Sequence, residues 1–139
     1  GDISKGDEYF KNLYLENKKN KKIIFHGSLD HTSIFKLGLK CDLALIPSSW
    51  FETGPITVFE AFAMNLPVIG TKLGGIEEIC THNFNSLLFE LNNHKELADL
   101  IISLINEPSK IAFLRSNLPN PRSPNDLALE LKKVYEKLT

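Results

Sequence analysis

Short apolar runs separated by stretches with helical spacing are the feature that most restricts the fold of this chain. Predicted strands lie at residues 22–25, 43–46 and 67–70, and a weaker one lies at 87–89. The runs are continuous rather than alternating with polar residues, which is typical of parallel strands covered on both faces. The alternation of strands and helices predicts an α/β fold, a Rossmann-like parallel sheet with helices on both faces.

The helices are predicted from apolar residues that recur at intervals of three and four. They lie at about 9–14, 34–39, 56–63, 97–105, 109–116 and 127–138. Pro108 ends the fourth of these helices, because its ring and missing N–H do not fit a helix interior. Three prolines between 119 and 124 are expected to hold the chain extended before the last helix. A length of 139 residues favours one domain.

The charge distribution excludes some classes of partner. Residues 41–100 contain two Lys and eight acidic residues, and no Arg. A nucleic-acid surface needs clustered Lys and Arg, so no nucleic acid is expected as a partner. No run approaches about 18 apolar residues, so no membrane span is expected.

The cysteines and histidines do not indicate a metal site. Cys41 and Cys80 are far apart and form no C-x-x-C motif. They are consistent with two thiols in a reducing cytoplasm, although one disulfide between them stays open. The four histidines, at 26, 31, 82 and 94, show no ligand spacing. We therefore expect no metal and no other cofactor.

Residues 47–61 form the part of the chain richest in candidate functional groups. This segment follows the predicted strand 43–46, at the carboxyl end where open α/β sheets bind ligands. Gly54 and Pro55 precede a predicted helix, and Pro suits a first helical turn. The amides of Ile56 and Thr57 are expected to face outward at the helix N-terminus, where phosphate oxygens bind.

Two acidic residues in this segment are candidate ligand contacts. Glu60 shares a helix face with Ile56 and Thr57, and its neighbours are apolar. A carboxylate in such a setting needs hydrogen-bond donors, which a ribose diol or a pair of sugar hydroxyls supplies. Glu52 lies on the preceding loop and can reach the same cavity. The alternative is that both acids are structural. The charge of Glu52 would then interact favourably with the helix dipole, and Glu60 would lie on a solvated helix face.

Two further features are expected near this cavity. Gly74 and Gly75 follow the predicted strand 67–70, and two glycines at such a turn allow a backbone to approach a ligand closely. The alternative is a plain tight turn. Trp50 and Phe51 lie between a strand end and a helix start, so they are predicted to flank the cleft rather than enter the core.

The ordered segments resemble the C-terminal half of retaining GT-B glycosyltransferases of family 4. The resemblance covers about residues 22–115, and its core is a Glu-x7-Glu pattern. It rests on these segments: Phe25–Gly27, Cys41–Asp42, Pro47–Glu52, Glu60–Ala63, Pro67–Ile69, Gly74–Glu78, Asn85–Leu88 and Glu96–Ala98. Asn65 stands where Gly is common, and Asn tolerates left-handed backbone geometry. Lys72 replaces a frequent Asp, and Ser86 a frequent Gly.

The resemblance implies a role for each residue in this region. Glu60 would hold the ribose of a UDP- or GDP-linked sugar, and Glu52 would act beside the donor sugar as the catalytic residue. The amides from Gly54 to Thr57 would face the diphosphate or the sugar. The implied reaction moves a hexose or an N-acetylhexosamine to a hydroxyl with retention, in bacterial polysaccharide or lipopolysaccharide assembly.

The resemblance also implies that residues 1–139 are a single partial domain. The first strands and the N-terminal domain for an acceptor glycan or lipid-linked sugar would be missing, so the fragment alone is expected to be inactive and to self-associate through strand edges. The intact enzyme is expected in the cytoplasm, peripheral to the inner face of the membrane. The alternative function is a non-catalytic sugar-nucleotide-binding or assembly module.

Overall fold

A computed structural model describes residues 8–120 and 124–137 of the chain. The elements in chain order are α1 (Glu8–Asn17), α2 (His31–Gly38), β1 (Ala44–Ile46), α3 (Ile56–Ala63), β2 (Val68–Thr71), α4 (Gly74–Ile79), β3 (Ser86–Phe89), α5 (His94–Asn106), α6 (Ser109–Ser116) and α7 (Pro124–Tyr135). The chain divides into two compact units, Gly1–Leu37 and Gly38–Thr139. No helix of the described ranges is long and apolar enough to cross a membrane.

The first unit contains α1 and nearly all of α2. Between them, the rings of Tyr14 and Phe25 meet edge to face, with their centroids 5.0 Å apart. Asp30 caps α2, because its carboxylate accepts hydrogen bonds from the backbone N–H and the hydroxyl of Ser33. These bonds favour the charged carboxylate and lower the pKa of Asp30.

The prediction of a strand at residues 22–25 is wrong. Residues 23–27 form neither helix nor strand, and the Ile24 side chain is 73% exposed. A strand exists only where a second strand accepts and donates its backbone hydrogen bonds, and in the described sheet no strand pairs with this run. An apolar run in the sequence cannot show whether such a neighbour is present.

The second unit contains a three-stranded parallel sheet with the order β1-β2-β3. Its strands coincide with the predicted runs 43–46, 67–70 and 87–89 to within one residue at every end. In the register, Leu45 lies beside Ile69, and Ile69 lies beside Leu87. The strand order follows the chain, so each crossover helix connects neighbouring strands.

Helices lie on both faces of the sheet, and β2 and β3 are buried throughout, which confirms the predicted α/β fold. One core cluster joins α3 and α4 to the sheet, and the other joins α5 and α6 to its opposite face. The first contains Val58, Ala61, Phe62, Met64, Leu66, Val68, Ile76, Cys80 and Leu88. The second contains Ile69, Leu87, Phe89, Leu104 and Leu114. Successive residues of β2 and β3 enter different clusters, as the pleat requires.

The remaining predictions about local structure have mixed outcomes. The helices predicted at 97–105 and 109–116 are confirmed as α5 and α6. The last helix runs from Pro124 to Tyr135 rather than from 127 to 138, and residues 121–123 and 138 lie outside the described part. Asn65 has a φ of 61°, so the left-handed geometry expected there is confirmed.

Cys41 and Cys80 form no disulfide, and Cys80 is buried. Burial raises the pKa of the Cys80 thiol.

Ser86 is a buried polar residue at the start of β3. Its side chain is 0% exposed, and within the described residues its hydroxyl oxygen makes no hydrogen bond of ordinary geometry, with the Cys80 thiol, a weak donor, as a polar neighbour. An unpaired buried hydroxyl costs about 1–3 kcal/mol of stability. Ser86→Ala is therefore expected to raise the free energy of unfolding by about 1 kcal/mol, measured by urea denaturation. A loss of stability of that size would contradict the account, because it would mean that the hydroxyl has a partner.

Candidate functional site

The candidate site lies at the carboxyl edge of the sheet. Strands β1 and β2 are parallel, so the loop after β1 and the turn after β2 begin at the same edge. We call residues 47–55 the β1–α3 loop and residues 72–75 the glycine turn. The first contains Trp50, Phe51, Glu52 and Gly54, and the second contains both glycines of the predicted site.

The β1–α3 loop ends at the N-terminus of α3. Pro55 is the N-cap residue, its side chain is buried, and no side chain caps the helix. Ile56 and Thr57 are exposed in the first turn. The first amides of a helix have no acceptor within it, so this end of α3 presents N–H groups and the positive end of the helix dipole.

Glu52 is held at two points. Its carboxylate accepts a hydrogen bond from the Ser48 hydroxyl, with 2.6 Å between Ser48 Oγ and Glu52 Oε1. Its backbone carbonyl accepts a hydrogen bond from the Gly75 N–H, with 2.6 Å between N and O. The side chain is half-buried. The loop therefore fixes both the backbone and the carboxylate of this residue.

Glu60 lies in the second turn of α3, at the border of its buried face. The side chains of Val58, Ala61 and Phe62 are buried against the sheet, and that of Phe59 is exposed. Glu60 is half-buried between these two faces. A carboxylate at this border is close to apolar groups and can still be reached by a ligand. Glu60 is therefore neither fully solvated nor fully buried.

The glycine turn packs against the β1–α3 loop. A Cβ on Gly74 would lie 2.9 Å from the Glu52 carbonyl oxygen, and one on Gly75 would lie 2.8 Å from the same atom. The backbone that closely approaches the two glycines in this structure is therefore that of Glu52. Gly54 differs, because a Cβ there would meet nothing within 4 Å.

Trp50 and Phe51 lie on the surface of the β1–α3 loop. Their side chains are 80% and 71% exposed, so neither belongs to either core cluster. The Phe51 ring reaches the glycine turn, with Cδ2 3.3 Å from the position of a Cβ on Gly74. Their contact with a bound donor stays a prediction.

Two features of the site were missed in the sequence. The first is the Ser48–Glu52 hydrogen bond, for which the only signal is a Ser four residues before the acid in a loop. The second is an ion pair 3.1 Å long between Lys72 and Glu90, which follow β2 and β3 at the same sheet edge. The hydrogen bond and charge of Glu90 raise the pKa of Lys72. The first residue of the glycine turn, Lys72, is thus tied to the end of β3 by an ion pair.

Comparison with known proteins identifies relatives of this arrangement. The family described as "Glycosyl transferases group 1" matches residues 2–119. An uncharacterized glycosyltransferase of Methanocaldococcus jannaschii is 31% identical over 126 residues, 88% of this chain and 35% of its own length. The N-acetyl-alpha-D-glucosaminyl L-malate synthase of Bacillus anthracis is 32% identical over 97 residues, 70% of this chain and 24% of its own.

Solved structures resemble the fold. Anabaena HepE, crystallised with UDP-glucose, superposes with a TM-score of 0.71 and 28% identity, over 80% of this chain and 31% of HepE. The sucrose-phosphate synthase of Thermosynechococcus elongatus superposes with a TM-score of 0.75 and 22% identity, over 92% of this chain and 33% of its own. The chain therefore spans about a quarter to a third of the length of these proteins.

Proposed function

Since the chain belongs to the family Glycosyl transferases group 1, we propose that it is the donor-binding part of a retaining GT-B glycosyltransferase of family 4. The observation that carries the proposal is the doubly held Glu52 beside the exposed N-terminus of α3, with Glu60 on the same helix. The reaction is the transfer of a hexose or an N-acetylhexosamine from a nucleoside-diphosphate sugar to a hydroxyl group.

The nucleotide is proposed to bind along the N-terminal half of α3. The Glu60 carboxylate accepts hydrogen bonds from the two ribose hydroxyls, which are charge-assisted and therefore strong. The N–H groups of Gly54, Ile56 and Thr57 and the helix dipole face the diphosphate. These groups are fixed before the reaction, so they stabilise the charge that develops on the leaving diphosphate.

Glu52 is proposed to act beside the sugar rather than the nucleotide. The Ser48 hydrogen bond fixes one carboxylate oxygen, and the second oxygen is available to the sugar hydroxyls or to the anomeric centre. Lys72 also lies at this edge of the sheet, but its charge is compensated by Glu90. Because residues 41–100 carry only two Lys and no Arg, further basic contacts to the diphosphate are proposed to come from outside this segment.

The identity of the donor follows from the relatives as a proposal. HepE was crystallised with UDP-glucose, so a UDP-linked hexose is the first donor to test, with a GDP-linked sugar second. The acceptor, a glycan or a lipid-linked sugar in bacterial polysaccharide or lipopolysaccharide assembly, is proposed to bind outside the described residues. We place the reaction in the cytoplasm, at the inner face of the membrane.

The two glutamates are expected to respond differently to removal of their charge. In the full-length protein, Glu60→Gln keeps the size of the side chain but removes the charge and half of the acceptor capacity. Each charge-assisted bond is worth about 1.5–3 kcal/mol, so nucleotide affinity should fall by about 10- to 100-fold, measured by calorimetry. Glu52→Gln should lower kcat more than nucleotide affinity.

Asp99→Asn is the matched control, because it removes an exposed carboxylate from α5, on the other face of the sheet. Asp99→Asn should leave both the nucleotide affinity and kcat unchanged. Equal nucleotide affinity in wild type and Glu60→Gln would assign Glu60 to the solvated helix face and remove the main support for a donor site. Tight nucleotide binding without turnover by the full-length wild type would instead favour the non-catalytic binding module.

We further propose that the chain of 139 residues self-associates through β1. This strand lies at one edge of the described sheet, and its Leu45 is 44% exposed. Unpaired apolar edges favour pairing with another strand, and a Lys at such an edge opposes it. Light scattering is expected to show dimers or larger species for the wild type and a monomer for Leu45→Lys. A wild type that stays monomeric at high concentration would contradict this proposal.

A further inference from the structure

We propose that Gly74 and Gly75 are positioning residues: they hold the backbone of Glu52 in place for the transfer step instead of contacting the donor. This inference rests on the role of Glu52 in the proposed function. Its structural part, the dependence of the β1–α3 loop on the glycine turn, can be tested without any turnover.

Gly75 carries the first part of the argument. Its N–H donates the 2.6 Å hydrogen bond to the Glu52 carbonyl. A Cβ at this position would lie 2.8 Å from that same oxygen, 2.8 Å from Pro55 Cδ and 3.1 Å from the Thr53 carbonyl carbon. Two of these atoms are backbone atoms and the third is in a rigid ring, so no flexible side chain can move aside. Only glycine permits both the contact and the hydrogen bond.

Gly74 carries the second part. Its φ is 53°, in the left-handed region that residues with a Cβ seldom adopt. A Cβ there would lie 2.9 Å from the Glu52 carbonyl oxygen and 3.3 Å from the Phe51 ring. Both glycines therefore face the same residue of the β1–α3 loop, from two successive positions of the turn.

The space that a ligand could occupy beside each glycine gives the third part of the argument. The space on the Cβ side of Gly74 and Gly75 is already filled by Phe51, Glu52, Thr53 and Pro55 of the chain itself. In contrast, the space next to Gly54 is open, with nothing within 4 Å of a Cβ. On this side, a ligand can approach the backbone of Gly54, whereas the glycine turn is in contact with the β1–α3 loop.

The consequence for catalysis follows from the fixed side chain. The Ser48 hydroxyl holds Glu52 Oε1 and the Gly75 amide holds the Glu52 carbonyl, so a shift of the carbonyl changes the position of the carboxylate. In Gly75→Ala, the oxygen must move from 2.8 Å to an ordinary contact of 3.4 Å, about 0.6 Å. A misplacement of about 1 Å costs up to about 100-fold in rate.

The test compares Gly75→Ala with a matched control in the full-length protein. Gly38→Ala is that control, since a Cβ on Gly38 would overlap the flexible Met64 side chain in the core and none of these atoms belongs to the site. With UDP-glucose as the first donor, Gly75→Ala should lower kcat by about 10- to 100-fold. Its affinity for UDP should fall by a smaller factor than kcat, because Glu60 stays in place and only Pro55, at the N-cap of α3, is displaced on the nucleotide side.

Gly38→Ala should retain kcat even where its melting temperature falls as far as that of Gly75→Ala. Equal loss of kcat in the two variants, or an unchanged kcat in Gly75→Ala, would overturn the positioning role. If the wild type binds UDP but transfers no sugar from any donor, the proposed function fails, and the structural part is then decided by hydrogen exchange.

Amide hydrogen exchange of the wild type tests whether the glycine turn holds the β1–α3 loop, even if Gly75→Ala does not fold. The Gly75 N–H is expected to exchange as slowly as the amides of β2, because it is bonded to the Glu52 carbonyl. Exchange of the Gly75 amide at the rate of an unprotected amide would show that the turn does not hold the loop, and would overturn the inference.

Discussion

The hydrogen bond from the Gly75 N–H to the Glu52 carbonyl joins the two loops on which the candidate site depends. It forms because β1 and β2 are parallel neighbours, so that the segments following them leave the sheet at the same edge. One of these segments carries Glu52 and leads into α3. The other ends in Gly74 and Gly75, which are the first two residues of α4. The packing of one on the other fixes the acid before any ligand binds.

The sheet beneath these loops provides a rigid support. Ile69, Val58 and Ile76 are almost completely buried, and they come from the central strand and from the two helices that flank the site. The core clusters hold α3 and α4 against the sheet, and these two helices fix the ends of the two loops. Functional groups on loops gain precision from such a scaffold. The exposed Trp50, Phe51 and Ile56 then form the accessible side of the same region.

The sequence predicted the parts of the fold that depend on local pattern. Continuous apolar runs at 67–70 and 87–89 correspond to β2 and β3, which are buried throughout, and the run at 43–46 corresponds to the partly exposed edge strand β1. The run at 22–25 has the same character but forms no strand, since pairing depends on a neighbour that periodicity does not reveal. Asn65 was predicted correctly because its left-handed backbone is a local property.

The candidate site was predictable only in outline. The segment from Trp50 to Glu60 was identified from its place after a strand and from the resemblance to glycosyltransferases. The contacts that hold Glu52 were not, because Ser48 and Gly75 reach it through the geometry of two loops rather than through spacing along the chain. The two glycines were identified as important, but the group that approaches them is the protein's own backbone.

The most direct test of the central claim is a crystal structure of the full-length protein with UDP-glucose, the compound bound in the Anabaena HepE structure. The account predicts that both ribose hydroxyls lie within about 3.2 Å of the Glu60 carboxylate. It also predicts that the diphosphate lies at the N-terminus of α3, and that the sugar lies beside Glu52. A nucleotide bound away from α3, with the Glu60 carboxylate in solvent, would contradict it.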